Sequence, residues 1–322
     1  MITKSAFHPA WWLSNPHAQT LYAARCRFPG LPTIREERIE LLDGDFIDVV
    51  WADKGLSKEA PLVILLHGLG GGIDSSPYIR GQMLAYQRLG LRSVVMHFRG
   101  AGKEPNRMLR SYHMGDTADL DYFIQLLAQR EPQTRKYVVG FSLGGSVLLK
   151  WLGERGEQTT ITAAVAVSVP FQLNLCADRL NRGLSRLYQM HLIRQLRQHF
   201  LRKQQHHLDD EFLQKLQSSN CFWTFDNHIT APLHGFKDVH EYYRLASSRA
   251  YLSQITTPTL IIHASDDPFT TPEAIPRTEE LSPAVTLELS RYGGHVGFIS
   301  GSIPIRPKFW LEERIPQFLS QS

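Results

Sequence analysis

Cysteine is scarce in this chain of 322 residues. Cys26, Cys176 and Cys221 are its only three, widely scattered and odd in number. They do not read as a disulfide framework, and a reducing compartment suits them best. Long apolar runs are missing as well. No stretch approaches the ~20 apolar residues of a spanning helix, and Met1 to Pro9 lack the apolar core of a signal peptide. The expected location is therefore the cytoplasm. Charge of one sign is not in excess either: 35 Lys plus Arg face 31 Asp plus Glu, a formal net charge of +4. Nucleic acid is not an expected partner, since no zinc-finger, helix-turn-helix or aromatic RNA-binding pattern accompanies that small surplus. What the chain has is apolar residues, 43% against 20% charged, enough to bury a full core. The length suits one large α/β domain carrying an insertion.

Residues 1–35 show no clear period. Glu36 to Leu42 and Phe46 to Trp51, separated by Asp43-Gly44-Asp45, read as a β-hairpin. Leu62 to Leu66 is a continuous apolar run suited to a strand buried on both faces. Ser76-Pro77 opens a helix that closes near Gly90. Ser93 to His97 is the next strand and Thr117 to Gln129 the next helix, with Asp116 placed to cap it. Tyr137 to Val139, Ala163 to Val169, Thr259 to His263 and Val285 to Leu289 read as further strands. Helices are expected from Gly145 to Leu152, near Pro272 to Leu281, and from Lys308 to Leu319. This alternation predicts an α/β fold, a mostly parallel twisted sheet with helices on both faces. Between Pro170 and Pro258 it stops, for far longer than a normal crossover. Helical patterning from Arg179 to Leu201 and from Asp209 to Leu216 assigns an inserted helical cap there. The expected division is 1–169 for the first part of the core, 170–251 for the cap and 252–322 for the second part.

Gly140-Phe141-Ser142-Leu143-Gly144 lies between an apolar strand and a helix-prone stretch. A strand, a G-x-S-x-G turn and a helix form the nucleophile elbow of α/β-hydrolases, where the turn lifts a serine hydroxyl above the sheet edge. A serine needs a base to take its proton, and that base needs a third group to orient it; in this fold the order is serine, acid, histidine. Asp266-Asp267-Pro268 follows a late strand directly. Asp267 is favoured, because the following proline keeps it extended at the strand end, and Asp266 is the alternative. Gly293-Gly294-His295 lies past the last strand, and the glycines let the backbone bring His295 to the nucleophile. His263, inside a strand, reads as structural.

A tetrahedral intermediate needs preorganised N–H donors. His67-Gly68-Leu69-Gly70-Gly71-Gly72 follows the first buried strand, and the donors are assigned to the Leu69 and Leu143 amides. The loop lacks the lysine and spacing of a phosphate-binding loop; His67 reads as its support. Arg99-Gly100-Ala101-Gly102 is a second loop near the expected pocket, its arginine more suited to holding the loop than to touching substrate. His113 and Asp119 miss an acyltransferase H-x-x-x-x-D spacing by one. His206-His207 with Asp209-Asp210 is the one local cluster of metal-ligand types, and it reads as a solvated turn. From Arg179 to His207 there are seven Lys or Arg and four His with no Asp or Glu, interleaved with Leu184, Leu187, Tyr188, Ile193, Leu196 and Phe200. Two readings stand: peripheral contact with an anionic lipid surface or acidic substrate, or a cap helix with a solvated basic face and an apolar face closing the pocket.

These segments together resemble the α/β-hydrolase superfamily and, within it, family 4, which holds bacterial carboxylesterase-like proteins, animal lung α/β-hydrolases and yeast ethyl-ester synthases. The resemblance runs through Asn15 to Leu21, His97 to Gly100, Glu104 to Arg107, Tyr112 to Gly115, Gly140 to Gly145, Asp226 to Thr230, Ala264 to Phe269 and Gly293 to Phe298. It implies a Ser142, Asp267, His295 triad and hydrolysis of carboxylic esters, of short to medium acyl chains if an apolar cap closes the site. No metal or organic cofactor is implied. Acyl transfer to an alcohol on the same triad, or ligand binding without catalysis, are the alternatives.

Overall fold

The computed structural model describes residues 1–27, 29–202 and 208–322. Nine strands form one sheet: β1 (Ile2–Lys4), β2 (Arg35–Glu40), β3 (Phe46–Ala52), β4 (Leu62–Leu66), β5 (Arg92–Met96), β6 (Lys136–Phe141), β7 (Ala163–Val167), β8 (Thr259–Ala264) and β9 (Val285–Ser290). Their order is β1-β9-β8-β7-β6-β4-β5-β3-β2. Every pairing from β1 across to β5 is parallel, and β3 and β2 are antiparallel at the far edge. A two-stranded ladder, β10 (Ile299–Ser300) with β11 (Lys308–Phe309), stands apart.

The strands are apolar on both faces because both faces are covered. Leu62, Ile64 and Leu66 of β4 join the core under α3 (Ala118–Arg130) and α4 (Leu143–Arg155). Val63 and Leu65, pointing the other way, join the core under α2 (Pro77–Arg88) and α11 (Leu311–Leu319). The chain leaves β4 toward β5 on one side and then crosses to β6 on the other. Such a reversal opens a crevice at the carboxyl ends of the strands, where ligands of open α/β sheets bind. The Leu69 loop follows β4 and Ser142 follows β6, so both face that crevice.

Between β7 and β8 the described residues hold helices and no strand: α5 (Leu173–Leu180), α6 (Ser185–Leu201), α7 (Asp210–Ser218), α8 (Phe222–Phe225), α9 (Ala231–Leu233) and α10 (Val239–Ala246). They share an apolar cluster of their own that includes Leu180, Ile193, Phe222, Phe225 and Tyr242. A π-turn at Asp226–Thr230 joins α8 to α9.

Several local expectations are corrected. Asp116 does not cap α3: its carboxylate takes two hydrogen bonds from Arg110 Nη2 at 2.9 and 3.0 Å, and Thr117 occupies the cap position. Pro272 to Leu281 is not a helix but two single 3-10 turns, Pro272–Ala274 and Thr278–Glu280, because Pro276 between them has no N–H to continue a helix. The last helix begins at Leu311, since Lys308 and Phe309 are taken by β11. Among the described residues, regular structure is found before β2 too. β1 pairs with β9, and α1 (Pro16–Arg25) starts at Asn15, whose Oδ1 accepts from the amides of His17 at 2.9 Å and Ala18 at 3.2 Å.

Candidate active site

Ser142 occupies the sharp corner between β6 and α4, with φ at +51°, a conformation a side-chain-bearing residue keeps only where its surroundings enforce it. The glycines on either side allow that. A Cβ on Gly144 would stand 2.6 Å from the Leu66 carbonyl oxygen, and one on Gly140 would run into the Gly144 carbonyl. The Ser142 amide donates to Val167 O at 2.8 Å, tying the turn to β7.

His295 Nε2 lies 2.9 Å from Ser142 Oγ, and His295 Nδ1 lies 2.8 Å from Asp267 Oδ2. Serine, histidine and carboxylate thus form one hydrogen-bonded chain, with Asp267 wholly buried and His295 nearly so. Burial would raise the Asp267 carboxyl, but His295, His263 and the Phe269 amide hold it below its ordinary range. It therefore stays ionised and accepts from the Nδ1–H of His295, which leaves Nε2 free to accept the serine proton.

The loop carrying His295 is fixed from four directions. Its backbone passes through Gly293 and Gly294 at φ +148° and +59°. The His295 amide donates to Thr20 Oγ1 at 2.9 Å, the Val296 amide to Ser168 Oγ at 3.0 Å, and the Gly294 amide to Asp266 Oδ1 at 2.9 Å. The Phe269 ring stacks on the imidazole with centroids 3.9 Å apart. Asp266 thus braces the loop and does not touch the imidazole; burial pushes its carboxyl up to about 6. Thr20, Ser168 and Phe269 were not legible as site residues. Thr20 lies in the Asn15 to Leu21 segment and Phe269 beside Asp267, so position in those segments was the available signal.

On the other side of the serine, the amides of Leu69 and Leu143 have no acceptor among the described residues. The neighbours of Leu69 are pinned: Gly68 N donates to the Tyr78 hydroxyl and Gly70 N to the Tyr112 hydroxyl, each at 2.9 Å. His67 supports the same loop. Its Nδ1 donates to Gly68 O at 2.7 Å, its Nε2 accepts from Phe98 N at 3.1 Å, and burial, with His97 beside it, drives its pKa down to about 3. It is a neutral brace with both nitrogens used.

Other singled-out residues lie outside this relay. Arg99 is buried and bonds Asp119 with two nitrogens, at 3.0 and 2.6 Å, and reaches Asp43 at 2.7 Å; it locks its loop to the β2–β3 turn. His263 is buried within β8 and lies 3.3 Å from Thr270 Oγ1. His113, Asp116 and His234 bring donor atoms within 4.8 Å of one another, but both Asp116 oxygens serve Arg110, and His113 Nδ1 accepts the Gly115 amide at 3.1 Å. Of the His206-His207-Asp209-Asp210 cluster, the histidines lie outside the described residues, and Asp209 caps α7 through Phe212 N at 2.7 Å.

A cavity of about 50 Å³ adjoins Ser142 and His295, walled by Leu173, Ala177, Leu180, Leu192, Phe222 and Phe269 among others. An apolar hollow beside a serine, with two unpaired amides across from a base, can hold an acyl group while its carbonyl carbon is attacked.

The alpha/beta hydrolase fold family matches residues 61–302. The chain is 40% identical over 321 residues to an Escherichia coli protein named "Putative esterase YheT", spanning 99% of this chain and 94% of that one. It is 30% identical to the phospholipase ABHD3 of Bos taurus, spanning 99% and 79%. Among solved structures, the Pyrococcus furiosus esterase Pf2001 superposes with a TM-score of 0.58 at 20% identity, over 100% of this chain and 98% of that one; at that identity the likeness speaks for the fold. With the elbow, the sheet order and these matches together, the chain belongs to the alpha/beta hydrolase fold family.

Proposed function

We propose that this chain is a serine carboxylesterase acting through Ser142, His295 and Asp267. The observation that carries the reading is the unbroken relay from Ser142 Oγ to His295 at 2.9 Å and on to Asp267 at 2.8 Å. Ser142 Oγ attacks the ester carbonyl carbon as its proton passes to His295 Nε2. The amides of Leu69 and Leu143 hold the oxyanion; each such donor contributes on the order of 10²–10³ in rate. The imidazolium, steadied by Asp267, gives its proton to the departing alkoxide, and an alcohol leaves. Water then attacks the acyl-serine, His295 takes its proton, and collapse of the second intermediate frees the acid and the serine.

Residues 170–251 serve in this reading as a cap whose apolar helices α5, α6 and α8 close over the acyl group. A cavity of about 50 Å³ has room for a few water-sized groups, at ~10–15 Å³ each by this measure. That favours short- to medium-chain acyl esters, with longer chains requiring the cap helices to part. The test is hydrolysis of a p-nitrophenyl ester series by the wild type and by Ser142→Ala. The expected result is turnover greatest at short to medium chain length and its loss in the variant; turnover that survives in Ser142→Ala overturns the assignment.

A further inference from the structure

Helix α6 has an outer face that the reaction at Ser142 does not use. Leu184, at its N-cap, and Leu187 and Met190 are 63%, 63% and 61% exposed, so three large apolar side chains recur every third residue in water. Arg182, Arg186 and Arg194 are exposed among them and have no acidic partner among the described residues. Elsewhere on this molecule several exposed arginines are paired, as Arg35 with Asp53, Arg38 with Asp48 and Arg107 with Glu40. The surface continues onto α1, where Leu21 is 50% exposed and Arg25 Nη2 lies 3.4 Å from His191 Nε2 of α6. Partial burial, with Arg25 and Arg194 beside it, lowers the His191 pKa from its ordinary value.

This face is fastened to the candidate site. Ser185 Oγ, at the start of α6, donates to the carbonyl of Pro268 at 2.7 Å, one residue past Asp267. Tyr188, between Leu187 and Met190, packs on Phe269 with centroids 5.0 Å apart, and Phe269 stacks on His295. Tyr188 also meets His17 of α1, Nδ1 to hydroxyl, at 3.1 Å.

Large apolar side chains interleaved with unpaired arginines on a helix are the pattern of an element lying in a membrane interface, apolar groups among the acyl chains and cations at the phosphates. A protein partner with an acidic groove or a second copy of this chain would be the alternatives. A second copy would bring the same unpaired arginines against each other across a two-fold interface, which like charge opposes. We infer that the outer face of α6, with the adjoining end of α1, docks the protein on an anionic lipid surface, setting Ser142 and His295 beside that surface. The inference concerns a binding face and stands apart from the esterase reading.

The test is co-sedimentation of the full chain with phosphatidylcholine vesicles with and without phosphatidylglycerol, at physiological and at high salt. Retention is expected on the anionic vesicles, weakened by salt and absent on phosphatidylcholine alone. Each of Arg182→Ala, Arg186→Ala and Arg194→Ala lowers the partition coefficient roughly fivefold, as the loss of one cation near such a surface predicts. Leu184→Ser with Leu187→Ser and Met190→Ser abolishes retention while circular dichroism and hydrolysis of a soluble p-nitrophenyl ester in lipid-free buffer stay at wild-type level. Equal retention on both vesicle types, retention indifferent to these substitutions, or a wild-type dimer that the triple substitution converts to monomer would each overturn the inference. Loss of ester turnover in Ser142→Ala with vesicle binding intact separates the two proposals.

Discussion

Replacing Asp267 with asparagine tests the relay at its least visible member. In the structure Asp267 Oδ2 accepts from His295 Nδ1 at 2.8 Å and Oδ1 accepts from the Phe269 amide at 2.8 Å. A backbone N–H can only donate, so the new carboxamide must keep its oxygen toward Phe269. Its NH2 group then faces Nδ1, which has to become an acceptor, and the imidazole proton moves to Nε2. A protonated Nε2 cannot take the proton of Ser142. Loss of this orientation costs about 10⁴ in kcat in serine hydrolases of the same arrangement, or about 5 kcal/mol of barrier at 1.36 kcal/mol per tenfold. Asp266→Asn is the matched control: its oxygen still accepts the Gly294 amide, which Asp266 Oδ1 holds at 2.9 Å, so a loss under about tenfold is expected. The assay is kcat and KM for a short p-nitrophenyl ester, with folding checked by circular dichroism. A folded Asp267→Asn within tenfold of wild type, or an Asp266→Asn that loses more than it, would refute the reasoning.

Two further perturbations probe buried charge. Asp226 sits among the helices between β7 and β8, with Thr230 Oγ1 and the Tyr243 hydroxyl donating to it at 2.7 and 2.8 Å, and burial raises its carboxyl from 3.8 to about 6. The native state therefore holds this proton more tightly than the unfolded chain does. Its contribution to stability is complete below about pH 4 and is lost as pH rises through about 6, a change of about 3 kcal/mol. Asp226→Asn should remove that component, so the gap between variant and wild-type melting temperatures should shift in the variant's favour from pH 4.5 to 7.5; a constant gap would contradict the assignment. Arg99→Ala leaves buried Asp45 and Asp119 without the guanidinium that now reaches both. Removing one partner from such a cluster costs about 3–5 kcal/mol, to be read from urea unfolding, and a loss under about 1 kcal/mol would show that the network is dispensable.

Much of this architecture was legible in the chain because local chemistry and global packing agree. The continuous apolar run at Leu62 to Leu66 suits a strand covered on both sides, and it forms one. Gly140 and Gly144 flank Ser142 because side chains there would strike backbone. Choosing Asp267 over Asp266 rested on one proline, yet the geometry separates the two cleanly: one carboxylate meets the imidazole and its neighbour braces the next loop. What escaped was long-range. β1 is three residues whose partner β9 lies over 280 positions away, and nothing local in Ile2–Lys4 announces that pairing. Helix α1 carried its signal in Asn15-Pro16, a cap followed by an N1 proline, but its weak apolar period hid it. Asp116 looked like a helix cap because a short acidic residue before a helix usually is one; the guanidinium of Arg110 outcompeted the helix for it. Phe269 stacks on His295 only once two loops from separate strands converge.

The most direct measurement is the site of covalent modification by a fluorophosphonate probe, mapped by mass spectrometry of the labelled, digested protein. A serine activated by His295 and flanked by unpaired amides predicts a single adduct on the peptide carrying Ser142, lost in Ser142→Ala and His295→Ala alike. An adduct on another serine, or none on a folded wild-type protein, would contradict the account.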